Sequence, residues 1–308
     1  VSNPVFLADT SGGFGTPTPS WNLISDVHEL LSFAFMRNAF AAGTASAIVA
    51  GIVGYFVVLR GSSFAAHAVA HIGFAGASGA VLLGINPVFG LGAFALGSSA
   101  GMGVLGKRLH GRDTVIGLVM ALSLGLGSLF ISLYKGNAAN AYSILFGQIF
   151  GISTGAMQVT IVTGVVTLLA IMAIYRPLLF SSLDEEVAEA RGVRVGALGI
   201  GFMLLMALAV SEAVQVSGVL LIFALLIAPG AIVERLIRRP FRALMTAAAI
   251  AVAITWASLA FAYYTPYPVS FYVTSFAFGL YLLARAVDAL RRKTRAAHEE
   301  AAPVLVAS

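Results

Sequence analysis

Two histidines, His67 and His71, and one glutamate, Glu212, are the conspicuous ionisable side chains inside the apolar blocks of this 308-residue chain. In SSFAAHAVAHIGFAGASG the histidines stand four residues apart, so a helix carries both on one face, about 6 Å from each other. At that spacing two imidazoles can share one divalent cation. Ala66, Ala70, Gly73 and Ala77 are small and leave room around them. Two imidazoles do not complete a coordination shell. Glu212, Asn86, Asn140, a Ser or Thr oxygen from another segment, or water must supply the rest. The competing reading has the histidines bonding to neighbouring backbones and merely packing helices, and Glu212 as a surface carboxylate. Ionisable groups inside apolar segments are costly and by default mark the route of a polar solute.

Composition decides what must position these groups. The chain is 59% hydrophobic and 10% charged, with a mean hydropathy of +0.95, whereas a soluble domain carries roughly 25% charged residues. It reads as an all-α polytopic membrane protein surrounded by lipid, and its 33 glycines let helices approach closely. With no cysteine, disulfide scaffolds and thiolate metal sites are excluded. The net charge of +5 comes from basic residues at the ends of apolar blocks, which points to membrane anchoring and not to nucleic acid. No GxxxxGK[ST] loop, HExxH pair or Ser/His/Asp set is present, so the chain does not read as an enzyme and carries no resident cofactor.

Nine spans are expected, at 35–59, 63–84, 88–105, 114–133, 156–175, 198–214, 216–232, 243–261 and 269–286. Asp113 or Thr114 is the expected cap of the fourth, and Pro229-Gly230 lies near the end of the seventh. Gly147, Gly151 and Gly155 recur every four residues in a stretch too short to cross about 30 Å of hydrocarbon, which predicts a close-packed re-entrant or interfacial helix. Gly97 and Gly101 read as a helix-packing pair. Residues 1–34 form an external arm, 35–286 the transmembrane domain and 287–308 a cytoplasmic tail with a disordered end. Of the 18 Lys and Arg residues, 16 fall on one side of this arrangement and only Arg37 and Lys135 on the other. The positive-inside rule makes that side cytoplasmic.

The long charged interruption, residues 176–197, then faces the cytoplasm as a loop. Asp184, Glu185, Glu186 and Glu189 alternate with apolar positions over 183–190, a pattern for a short amphipathic helix opening at Ser181 or Ser182 and closing at Gly192. A short helix pinned at the membrane face between two spans is a docking device more often than a spacer.

YFVVLRGSSFAAHAVAHIGFAG, GRDTVIGLVMALSLGLGSLFIS, YSILFGQIFGIS and SGVLLIFALLIAPGAIVERLI resemble, in order, stretches of the membrane permeases of bacterial ABC importers for zinc, manganese and iron. The resemblance spans roughly 35–286. It implies a homodimer in the bacterial cytoplasmic (inner) membrane, joined to two cytoplasmic ATPases and served by an extracytoplasmic metal-binding protein, with the DEEVAEARGVRVG segment docking into the ATPase. By position, His71 corresponds to a histidine of the family's second helix, His67 stands where Asp is usual, and Ala75 where Pro is common. Imidazole in place of carboxylate shifts preference from hard Mn²⁺ toward Zn²⁺ or another borderline ion. Neutral imidazole is the ligand, so transport should weaken below about pH 6.5. An ion-coupled secondary transporter and a membrane scaffold with structural histidines are the alternatives outside this class.

Overall fold

The computed structural model describes residues 30–105, 112–134, 147, 149–218 and 222–301. Most of the external arm, Lys135, Asn140 and the last residues of the tail lie outside them. The described chain is helical: α1 Ala34–Leu59, α2 Ser63–Leu82, α3 Pro87–Leu105, α4 Arg112–Leu133, α5 Thr154–Leu183, α6 Glu185–Ala190, α7 Val195–Ser217, α8 Ile222–Leu236, α9 Pro240–Tyr264 and α10 Val269–Ala301. Eight of these are long and apolar enough to cross a membrane; α8, with 15 residues, spans about 22 Å. The polytopic all-α reading holds, with eight membrane-length helices and this shorter ninth.

α1 and α2 form the centre. Burial takes in 78% of the apolar window of α2 but only 17% of those of α3, α4 and α10, so the histidine-bearing helix is sheathed by protein while the others turn apolar faces outward. Backbone contact sets the closest crossings. A methyl group on Gly54 of α1 would overlap the Leu226 carbonyl of α8, and one on Gly230 would stand 2.8 Å from the Gly54 carbonyl oxygen. Gly76 of α2 and Gly90 of α3 meet in the same way. Gly97 and Gly101, the expected packing pair, meet nothing within 4 Å in this chain. Their spacing suits close approach, yet they lie on a face no described helix covers.

Several boundaries differ from the sequence pattern, each for a local reason. α4 begins at Arg112, so Asp113 sits in its first turn, where an acid favours the helix dipole, and not at the cap. Gly147 has φ +77° and residues 149–151 form a single 3-10 turn, so 147–155 is not one continuous helix. Ser153 instead caps α5, accepting from the Ala156 N–H at 3.2 Å, and nothing packs on Gly155. α7 is capped at Gly218, with φ +78°, and Pro229 lies inside α8 and not at its end. α10 runs past the expected end at 286 to Ala301, supported by an Arg292–Asp288 ion pair one turn apart at 3.0 Å.

Candidate functional site

His67 and His71 project from the same face of α2. Their rings meet edge to face with centroids 4.4 Å apart, and their Nε2 atoms are 3.2 Å apart. In the neutral pair one Nε2–H donates to the other ring. Two nitrogens bound to one tetrahedral ion at about 2.0–2.1 Å would stand about 3.3 Å from each other, close to the separation observed for this hydrogen-bonded pair. His71 is 7% exposed, and the Phe223 ring of α8 stands 5.2 Å from the His67 ring. Both Nδ1 atoms are buried with no hydrogen-bond partner, a costly arrangement for groups that do nothing but pack. His71 lies eight residues, about 12 Å of helical rise, into α2 from Ser63.

The structure separates Glu212 from that pair. Its carboxylate is 2% exposed and faces α5 and α1: a Cβ on Gly164 would stand 3.3 Å from Glu212 Oε2 and 3.3 Å from a Val49 methyl. Neither carboxylate oxygen has a hydrogen-bond partner; the Ser46 hydroxyl donates to the Glu212 backbone carbonyl at 3.4 Å. The surface-carboxylate alternative therefore fails, since the side chain is enclosed. Among the described residues no third His, Asp, Glu or Cys joins the histidines. Asn86 Oδ1 accepts from the Val88 N–H at 3.0 Å and caps α3.

Toward the charged segment α5 does not stop before Pro177. It continues to Leu183, and Ser181 and Ser182 lie inside it rather than opening the next helix. Pro177 removes one hydrogen bond, to the Ala173 carbonyl; the two serine hydroxyls bond back to the Leu178 carbonyl at 3.1 and 2.6 Å. The chain then breaks at Asp184, in extended backbone, whose carboxylate accepts from the Val187 N–H at 2.9 Å and caps α6. Gly192 closes α6 with φ +84°, its N–H donating to Glu189 and that of Val193 to Ala188, a left-handed cap that favours glycine. Glu185, Glu186 and Glu189 are exposed, Val187 is 45% exposed, and only Ala188 is buried. The helix thus shows a mixed acidic and apolar face to solvent. Sequence reasoning missed the wall provided by Phe223 and the contacts of Arg60; the only signal for the latter was a lone arginine between two apolar blocks.

A model of the ABC 3 transport family matches residues 32–302. The chain belongs to this family. Among ABC 3 relatives it is 37% identical over 205 residues to the manganese import system permease protein ScaB of Streptococcus parasanguinis, covering 66% of this chain and 72% of that one. It is 31% identical over 203 residues to the manganese transport system membrane protein MntC of Listeria monocytogenes, with the same coverage of each. The fold superimposes on a chain of PsaBC from Streptococcus pneumoniae in complex with Fab, with a TM-score of 0.77, 27% identity and coverage of 85% of this chain and 94% of that chain. As an ABC 3 permease it is the multi-pass transport component of an importer, not an enzyme, and it works with a separate ATPase and a binding protein. That sets aside the secondary transporter and the scaffold.

Proposed function

We propose that this permease imports a divalent transition-metal ion, manganese before others, and that His67 and His71 hold the ion briefly in mid-membrane. The observation that carries the proposal is the 3.2 Å separation of two partly buried imidazole nitrogens on the most enclosed of the membrane-length helices described. The names of its relatives favour Mn²⁺. Two imidazoles without a neighbouring carboxylate favour a softer ion, so Zn²⁺ should compete strongly, and Fe²⁺ is the third candidate. Glu212 stands about 26 Å along α7 from its cytoplasmic start and is proposed as a separate acidic station nearer the outer side. Two copies of the chain would flank the path, with an extracytoplasmic metal-binding protein delivering the ion and two ATPases gripping α6 through Asp184, Glu185, Glu186, Glu189 and the Gly192 turn.

Vesicles containing the permease with its ATPase and binding protein test this reading. Mn²⁺ should enter on addition of ATP, with Zn²⁺ and Fe²⁺ as measured competitors; a complex that moves none of the three would sink it. His67→Asp restores a carboxylate and should change the Mn²⁺ to Zn²⁺ preference about tenfold in favour of Mn²⁺, the equivalent of roughly 1.4 kcal/mol of differential ligation. An unaltered ratio would remove His67 from the ion's path. Glu186→Arg reverses one exposed charge of α6 and should weaken co-purification with the ATPase by at least about tenfold while leaving ion preference alone. Full retention of the ATPase would place docking elsewhere.

A further inference from the structure

On the transport reading, movement of α6 must reach α2 for ATP to act on the histidine pair, and the described structure holds a polar connection between the end of α5, just before α6, and the turn that leads into α2. Arg60 lies in the turn between α1 and α2, three residues before α2 begins at Ser63 and seven before His67. Its Nη1 donates to Ser181 Oγ at 3.1 Å and to Ser182 Oγ at 3.2 Å, on the last turn of α5 before α6. The stoichiometry is complete. Nη1 carries two hydrogens, and each serine has already donated its own to the Leu178 carbonyl, leaving lone pairs to accept. The guanidinium also lies over the Phe202 ring of α7, 5.5 Å from its centre. Phe56 of α1 joins Phe202 and Tyr175 of α5 at ring distances of 6.4 and 6.1 Å, so three helices meet beside this arginine.

What surrounds the connection gives it mechanical meaning. A cavity of about 550 Å³ opens beside it, lined by Arg60, Ser182, Leu183 and Glu185 on one side and by Met102 of α3 and Ile200 of α7 on others. Close packing transmits displacement, and a void of this size interrupts it. The end of α5 therefore has room to move relative to α3 and α7, while two charge-assisted hydrogen bonds tie it to the turn that starts α2.

We propose that Arg60 is the positioning residue that relays the stroke of α6 to α2, so that the ATPase acts on the histidine pair through the α1–α2 turn. This rests on the transport reading above and adds to it the route of coupling. Arg60→Met keeps the aliphatic stem but removes the donors; Ser181→Ala with Ser182→Ala removes the acceptors and keeps the arginine over Phe202. In the reconstituted complex both variants should bind Mn²⁺ and hydrolyse ATP as the wild type does, with Mn²⁺ moved per ATP falling about tenfold, within the usual range of inter-site coupling. The natural absence of cysteine permits spin labels at Ala190→Cys on α6 and Phe64→Cys on α2, each measured against one at Leu290→Cys. ATP should move both labels in the wild type and only the one on α6 in the variants. If Arg60→Met does not assemble, the serine double variant decides. Normal transport per ATP, or an α2 label that still moves, would overturn the relay; a wild-type complex that moves no ion would instead overturn the transport reading.

Discussion

His71→Ala should abolish metal uptake by the intact complex while the permease still reaches the membrane and still holds its ATPase. Altering a group that merely orients a metal ligand costs about 10–100-fold in affinity or activity, so loss of the ligand itself should cost at least about 100-fold. His71 faces the protein interior at 7% exposure with its Nε2 3.2 Å from that of His67, and alanine would leave the surviving ring without its partner. Alanine alone does not separate ligation from packing. His71→Gln does, since its amide fills a similar volume and can still hydrogen-bond to His67 but is a poor ligand for a transition metal. Uptake should be lost in both variants. Rescue by glutamine, or unchanged uptake with alanine, would leave the pair as helix packing and nothing more.

Gly54→Ala should strongly destabilise the bundle. Inserting a methyl group where side chains can yield costs about 1–3 kcal/mol. Here the obstacle is the Leu226 carbonyl of α8, which cannot swing aside, and the helices must separate along a contact that also includes Gly230. A cost above about 3 kcal/mol corresponds to a melting temperature at least about 6 °C lower. The comparison is Gly97→Ala, which meets nothing within 4 Å and gains helix propensity. Thermal unfolding in detergent, followed by size-exclusion chromatography, distinguishes them: a Gly54→Ala protein as stable as the Gly97→Ala one would mean that α1 and α8 do not cross there. Because α8 also carries Phe223 against His67, loss of that crossing would disturb the histidine pocket as well.

The histidine pair was legible because a four-residue spacing on a helix is a local property: whatever surrounds α2, residues 67 and 71 must share a face. The membrane blocks were legible for the same reason, since a run of apolar residues long enough to span hydrocarbon states its own environment. The short acidic helix after the fifth span was visible in its charges, and Gly192 in its role as terminator. Its opening was not. Ser181 and Ser182 have the chemistry of caps, but their hydroxyls turn back to Leu178 and receive Arg60, a residue more than a hundred positions away, so the cap passed to Asp184.

The sequence by itself determined the class of the molecule and that His67 and His71 share one face of a helix, because hydropathy and helical spacing act within a few turns. Only the tertiary structure decided which glycines touch another backbone, that Glu212 is enclosed between α7, α5 and α1 and apart from the histidines, and that Arg60 reaches the last turn of α5. Those outcomes depend on which helix faces which, and identical small or charged residues look alike along the chain until a neighbour is placed against them.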